Sequence, residues 1–389
     1  MAHEIQLGIV TTHPIQYQVP LFRELDTRSG LHSTVFYGRI PDRERQGKGF
    51  DVSFEWDLPL LEGYEWRVLR DAETPESIDF SVFAGCREAF RAVDVMLIHG
   101  WQSSYMRRAW WSGLWEDVPL LVRGESNHMK PRPWYVHGLH RAYLQPFDRY
   151  LYIGESNRAF YRNAGVSSEA LHPAPYCVEN RRFDEDWQDR KRARSELRSE
   201  LGIEDEALCF LFCGKFIEKK RPLDVVKSFV QAWRTSEQPV HLLMVGDGER
   251  RGQTEALVPA EAPVSFTGFL NQTEIGKAYA AADAMVLPSN YGETWGLVVN
   301  EGMIFELPAI VSDRVGCGPD LIEEGETGYT VPFGDIDALA STMHRMARNP
   351  EHVKAMGKEA RKLVMSEYTV AEAVDGIVEA AQNAYREDQ

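Results

Sequence analysis

The sequence predicts an α/β protein with two halves, each a parallel sheet flanked by crossover helices. Short apolar runs bounded by turn residues alternate with helical stretches along the whole chain. At 389 residues the chain is long enough to form two separate cores. A charged stretch poor in apolar residues, ENRRFDEDWQDRKRARSELRSELGIEDE, separates one set of runs from the other.

In the first half the expected strands are 5–11, 33–38, 95–100, 119–124 and 149–154. In the second they are 207–214, 240–248, 264–268, 284–289, 308–313 and 328–333. The dividing stretch reads as a linker plus a solvated helix. Its RKRAR run is an exposed face balanced by Asp and Glu, which outweighs a nucleic-acid reading. Residues 335–389 follow a helical pattern, and no repeat or low-complexity tract interrupts the chain.

Composition narrows the function classes. Lys and Arg number 43 against 59 Asp and Glu, a formal charge of −16 that argues against a broad nucleic-acid footprint. Acid is concentrated in the second half, so the first is the better partner for an anionic acceptor or a membrane. The five cysteines, at 86, 177, 209, 213 and 317, form no CxxC pair, and no His/Cys cluster has metal spacing. No metal site is expected, and a reducing cytoplasm is. Cys209 and Cys213 read as small buried hydrophobes of a strand. The N-terminus has neither a basic n-region nor a long apolar run, and no stretch of 18 apolar residues occurs. Neither a signal peptide nor a membrane span is therefore expected.

The chemistry gathers at strand ends in the second half. After the strand ending at Gly214 come Lys215, Lys219, Lys220 and Arg221, point-charge partners for a diphosphate. The next strand ends in VGDGE, around Gly246. Each alone is a weak signal. The stretch SNYGETWGLVVNEGM, 289–303, adds Glu293 and Glu301 eight residues apart. On one helix they would be about 80° out of register. Read as a loop followed by a helix from Trp295 to about Phe305, Glu293 sits at the helix lip and Glu301 about 12 Å beyond. That separation matches the span from sugar to ribose of a nucleotide-sugar, with its diphosphate over the helix N-terminus.

These pieces together resemble the retaining GT-B glycosyltransferases of family GT4. The resemblance rests on G-K-x-x-x-x-K at 214–220, V-G-D-G at 245–248, F-T-G-F at 266–269 and A-A-A-D-A-M-V-L-P-S at 280–289. E-x7-E at 293–301, G-C-G-P-D-L-I at 316–322 and E-T-G-Y near 328 complete it. It implies two Rossmann-like domains facing each other across a cleft, at 1–180 and 181–366, with residues 367–389 as a helix returning to the first. It implies that Lys215 and Lys220 hold the donor diphosphate, that Glu301 accepts from the ribose hydroxyls, and that Glu293 faces the donor sugar. The backbone around Trp295, Gly296 and Leu297 would lie against phosphate and sugar, with Phe269 and Leu270 bordering the base and Gly246 also on the donor side. Lys215 stands where the family has Arg, keeping the charge but losing the bidentate fork.

The first half departs further from the family. No GxGxxG follows its first strand, which argues against a hydride-transfer domain. Where relatives carry a Gly-rich loop, His13, Pro14, Ile15 and Gln16 stand. His13 divides evenly between a catalytic wall residue and a structural one, and Gln16 is a donor-side candidate. His99, Trp101, Arg123 and Glu125 follow later strands and are the acceptor-side candidates, an Arg123–Glu125 ion pair being the duller reading. In WQSSYMRRAWWSGLW, aromatics packed on the sheet rank ahead of a membrane face.

The expected reaction is transfer of a sugar from a UDP- or GDP-sugar to a hydroxyl on a glycan or lipid-linked glycan, with retention implied by the resemblance. No cofactor or metal is called for; lysines and a helix end would serve the leaving diphosphate. The expected site of action is the cytoplasm, extending to the inner membrane face through peripheral contact by the first domain. A nucleotide-sugar epimerase or sugar phosphorylase of the same fold, and a non-catalytic nucleotide-sugar scaffold, are the rival readings.

Overall fold

The computed structural model describes residues 3–40, 56–69, 80–101 and 103–388. Its contacts divide the chain into two units. The first gathers Pro59–Cys177 and Thr369–Gln389 with the N-terminal segment, and the second contains Val178–Tyr368.

The first unit is built on seven parallel strands: β1 (Ile5–Thr11), β2 (Leu31–Tyr37), β3 (Glu65–Val68), β4 (Val95–Ile98), β5 (Leu120–Arg123), β6 (Arg149–Tyr152) and β7 (Leu171–Pro173). Their order is β3-β2-β1-β4-β5-β6-β7. Both sheet faces are covered, which is why the strands read as continuous apolar runs. Leu7 and Ile9 pack with Val19 and Phe22 on one face, whereas Val10 packs with Ile98, Met106 and Val122 on the other. The terminal helix Val370–Asp388 belongs to the first face, through Ala373, Val374, Ile377, Ala380, Ala381 and Ala384. Gly376 permits that approach, since a Cβ there would come within 1.6 Å of the Pro173 carbonyl oxygen.

Strands β3 and β7 escape sequence reading. EWRV is a partly exposed edge of four residues. LHP has only three and ends in proline, which an edge tolerates. Several other strands stop one to three residues short of expectation, where Gly100, Gly214 and Gly246 turn the chain at positive φ.

The second unit has six parallel strands: β8 (Leu208–Cys213), β9 (Val240–Val245), β10 (Val264–Gly268), β11 (Ala284–Leu287), β12 (Ala309–Ser312) and β13 (Gly328–Val331). The order is β10-β9-β8-β11-β12-β13. Phe210, Phe212, Leu242, Met244, Val286 and Ile310 form the middle of one core face. All five cysteines are buried free thiols.

The dividing stretch is not a solvated linker. It forms helices Asn180–Gln188 and Arg190–Leu201 within the second unit. Arg194 and Arg198 both grip Asp283, at 2.8 and 2.7 Å. Arg198 is only 1 % exposed. Arg192, by contrast, does face solvent, paired with Asp189.

In each sheet the strand order reverses at one place, between β1 and β4 and again between β8 and β11. Such switch points leave a crevice beyond the carboxyl ends of the strands, where open α/β sheets take ligands.

Candidate functional site

The second unit's switch point is built by glycines. Gly246 has φ +125°, and a Cβ on it would lie 2.0 Å from the Gly214 carbonyl oxygen. Gly214 N donates to Val245 O at 3.0 Å and Gly246 N to Gly268 O at 2.8 Å, so the ends of β8, β9 and β10 are tied backbone to backbone. Phe269 and Leu270 follow, half-buried, just past β10.

From Gly214 the chain runs through Lys215 into a 3-10 turn, Glu218–Lys220, then Arg221 at φ +58° and the helix Pro222–Thr235. A left-handed arginine is costly. Hydrogen bonds to Asp224 (2.6 Å) and Glu218 (2.8 Å) hold it. The turn carries the lysines back over the loop after β11. Asn290 N donates to Lys219 O at 3.0 Å, and Lys219 Nζ to Gly292 O at 3.1 Å. Lys220 Nζ then lies 2.5 Å from Glu293 Oε2, with Lys219 Nζ at 3.7 Å. Lys220 therefore holds the carboxylate at ion-pair distance. Burial pushes the Glu293 carboxyl up, but Lys220 and Lys219 outweigh it and the net shift is downward. Half-buried Lys215 is shifted down by burial and by the same two lysines. Two ammonium groups thus act on the Glu293 carboxylate, and a third, Lys215, is near enough to feel both, a field that favours an added anion.

Glu293 is not at the helix lip. The helix is Leu297–Ile304, and Gly296, at φ +110°, stands before it. Residues 293–295 form a strap instead: Gly316 N donates to Glu293 O and Cys317 N to Trp295 O, at 3.1 and 3.0 Å. Gly316 is required there, because a Cβ would meet Thr294 O at 1.8 Å. The Trp295 side chain is core, its Nε1 donating to Asn300 Oδ1 at 2.8 Å. The role expected of Trp295 would therefore fall to its backbone, with Gly296 and Leu297. Glu301 accepts from the Tyr279 hydroxyl through Oε2. Burial raises its carboxyl, opposed by Tyr279, Arg182 and Lys220. Lys220 therefore bears on both glutamates.

The first unit has its own cavity, of about 200 Å³, at its own switch point. His99, Trp101, Arg123 and Glu125 all line it. His13 and Gln16 do not. His13 bonds Thr12 Oγ1 at 2.8 Å and its pKa is lowered by burial and by Arg39. The helix after this loop starts at Val19. The wall is made instead by Thr11, Tyr17 and Gln18, with Thr11 Oγ1 donating to Gln18 Oε1 at 3.0 Å. Thr11 ends β1, and that position was the available signal.

The Arg123 guanidinium donates to the carbonyls of Ala174 (3.1 Å) and Pro175 (3.2 Å) and stacks over Tyr176. Glu125 accepts from the Tyr176 hydroxyl. Burial, then Arg123, pushes His99 down to about 3, so the ring is neutral at physiological pH. Trp101 stacks on Phe160, 5.9 Å between centroids, and presses on Gly124, where a Cβ would lie 2.4 Å from its ring. Trp110 stacks on Tyr143 at 4.6 Å. These two tryptophans are packed aromatics, and Trp101 also borders the cavity. Trp111 and Trp115 are exposed.

Comparison with known proteins now bears directly on the lysine–glutamate site. Residues 193–363 match the model of the family described as glycosyl transferases group 1. That segment belongs to the group 1 glycosyl transferases. All of the loops tied together around Lys220 and Glu293 lie inside this group 1 domain. Alpha-D-kanosaminyltransferase of Streptomyces kanamyceticus is 28 % identical over 217 residues, 55 % of this chain and 54 % of that one. N-acetyl-alpha-D-glucosaminyl L-malate synthase of Bacillus anthracis is 30 % identical over 202 residues, 51 % of each. The chain spans about half the length of these curated relatives.

Solved structures resemble it along nearly its full length. A glycosyltransferase from Rickettsia africae gives a TM-score of 0.75 at 12 % identity, covering 98 % of both chains. Anabaena HepE, solved with UDP and glucose, gives 0.70 at 13 %, covering 97 % of this chain and 100 % of its own. At such identities the likeness is one of fold, the GT-B fold of two Rossmann-like domains, to which the group 1 domain supplies the second.

Proposed function

We propose that this protein is a glycosyltransferase that moves a sugar from a nucleoside diphosphate sugar to a hydroxyl of a glycan or lipid-linked glycan. The second unit takes the donor and the first the acceptor. The observation that carries this reading is the Lys220–Glu293 pair at 2.5 Å, with Lys215 and Lys219 close by, at the switch point of a group 1 domain. Relatives named as sugar transferases support the class, and the UDP found with HepE supports a uridine donor.

In this mechanism Lys215 and Lys220 receive the diphosphate, and the N-terminus of the helix that starts at Leu297 adds its positive end. Glu301, ionised, accepts from the ribose hydroxyls. The bond from the anomeric carbon to the diphosphate oxygen breaks, leaving its electron pair on the diphosphate, where the lysines stabilise the growing charge. The acceptor oxygen bonds to the same carbon on the same face, and its proton passes to the departing phosphate oxygen. Glu293 stabilises the positive charge that develops at the sugar. In the first unit, neutral His99 and the Glu125–Tyr176 pair offer hydrogen bonds to a hydroxylated acceptor beside Arg123.

Thermal melting with UDP, GDP, ADP and their sugars, in EDTA, tests the donor half. A nucleotide at 100 times its dissociation constant should add about 2.7 kcal/mol of stability. No stabilisation by any of them would overturn the assignment. Product analysis separates transfer from epimerisation, which converts the donor without an acceptor.

A second test uses Tyr279. The hydroxyl bonded to Glu301 opposes the rise that burial imposes on that carboxyl. Nucleotide affinity should weaken as pH falls through the Glu301 pKa. Tyr279→Phe should move that weakening to higher pH while leaving affinity well above it nearly unchanged. Titrations of nucleotide binding across pH that superimpose for the two proteins would remove Glu301 from the ribose.

A further inference from the structure

The helix Trp134–Leu144 in the first unit is apolar on both sides, yet one side faces solvent. On its inward arc Val136, His140, Tyr143 and Leu144 meet the protein, with only Leu144 fully buried. Trp134, Tyr135 and Leu139 on the opposite arc are 85 %, 56 % and 65 % exposed. At 100° per residue these three, with Gly138 and Ala142 between them, span about 140° of the helix surface. Single exposed apolar residues are ordinary, but a continuous stripe led by tryptophan and tyrosine marks a surface that something covers.

Charge identifies the cover. Residues 126–147 contain Lys130, Arg132 and Arg141 and no Asp or Glu, in a chain whose net charge is −16. Lys130 and Arg141 are exposed, and Arg141 borders the apolar arc. Arg132 is occupied, donating to Asn127 O at 2.6 Å and lying over Phe160. An apolar stripe with aromatic residues at one end and free cations at its margin fits the boundary of a lipid bilayer, the side chains entering the acyl region and the cations meeting headgroups. A second copy of the chain fits less well. A symmetric contact through this stripe would bring each copy's Lys130 and Arg141 toward their own equivalents. The other exposed tryptophan cluster, Trp111 to Trp115, runs directly into Glu116 and Asp117 and lacks this character.

We infer that the exposed face of helix Trp134–Leu144, with Lys130 and Arg141, docks the first unit on an anionic lipid surface. It extends the reading of a lipid-linked acceptor but is tested without turnover, so the two stand or fall separately. The experiment is co-sedimentation of the full chain with vesicles of phosphatidylcholine, alone or with phosphatidylglycerol. Wild type should pellet with the anionic vesicles, and omission of phosphatidylglycerol should weaken binding about tenfold or more. Trp134→Ser/Tyr135→Ser/Leu139→Ser should lose binding to both, with an unchanged melting curve because these side chains are exposed. Lys130→Glu/Arg141→Glu should lose only the phosphatidylglycerol-dependent part. Wild type failing to bind anionic vesicles, or the triple variant binding like wild type, would overturn the inference. So would light scattering that showed a wild-type dimer and a monomeric triple variant, since the stripe would then be a protein interface.

Discussion

Lys220→Ala should remove nucleotide binding and lower turnover by about 10²–10³-fold, more than any other single change at the site. The reason is its position between two carboxylates. Its ammonium lies 2.5 Å from Glu293 Oε2, and it also opposes the burial that raises Glu301. Without it, Glu293 retains a carboxylate among buried groups, with Lys219 as its neighbouring cation at 3.7 Å. Losing one partner of a buried pair costs about 3–5 kcal/mol of stability, so the single variant will also melt early. A second variant separates folding from function. Lys220→Met/Glu293→Leu removes both charges at similar volume and should regain most of the stability, because an apolar pair of matching shape is close to neutral. Its turnover should stay lost. A double variant that recovered turnover would show that the pair is structural and would move the chemistry elsewhere.

The pH dependence of the same pair has a defined sign. The Glu293 carboxyl is held below its ordinary value in the folded chain. Its contribution to stability is therefore fully present above the ordinary carboxylate range and is lost as pH falls through the depressed folded value.

The lysine turn and the two glutamates were legible because each sits in local sequence at the end of a recognisable strand, bounded by glycines or turn formers. What completes the site comes from far along the chain. Tyr279 reaches Glu301 across 22 residues, and the strap at Glu293 is closed by Gly316 and Cys317 from beyond β12. In the first unit the sequence indicated the right strand ends, giving His99, Trp101, Arg123 and Glu125. The lining residue Tyr176, however, lies far along the chain after β7, a strand too short and too near proline to be read. Gln18 differs again. It lies seven residues past Thr11, and only the turn before Val19 aims it back at the strand end.

The same limit explains the charged stretch, where the second large effect is expected. Arg198→Ala should destabilise the group 1 domain by about 3–5 kcal/mol, although the residue lies in a run that reads as solvent-facing. Its guanidinium donates to Asp283 Oδ2 at 2.7 Å and to the carbonyls of Ala281 and Glu204, each at 2.9 Å, and of Ala207 at 3.1 Å. Removing it takes a donor from each of those carbonyls, leaving Glu204 O to Ala207 N and Ala281 O to Arg194, and takes one of two cations from Asp283, which also fixes the start of β8 through Cys209 N at 2.9 Å. Arg198→Lys should fare little better, since one ammonium cannot span a carboxylate and carbonyls that the planar fork reaches together. Arg192→Ala, six residues earlier on the same helix, should leave the melting curve where it is, because Arg192 pairs with Asp189 in solvent. The distinction lies in helical phase rather than residue type. Arg194, Leu197, Arg198 and Leu201 recur at i, i+3, i+4 and i+7, so the two arginines share the apolar stripe that faces helix Ile275–Ala281. Thermal and urea melting of the three variants decides the matter. Equal curves for Arg192→Ala and Arg198→Ala would return the whole stretch to the solvated helix that its composition suggests.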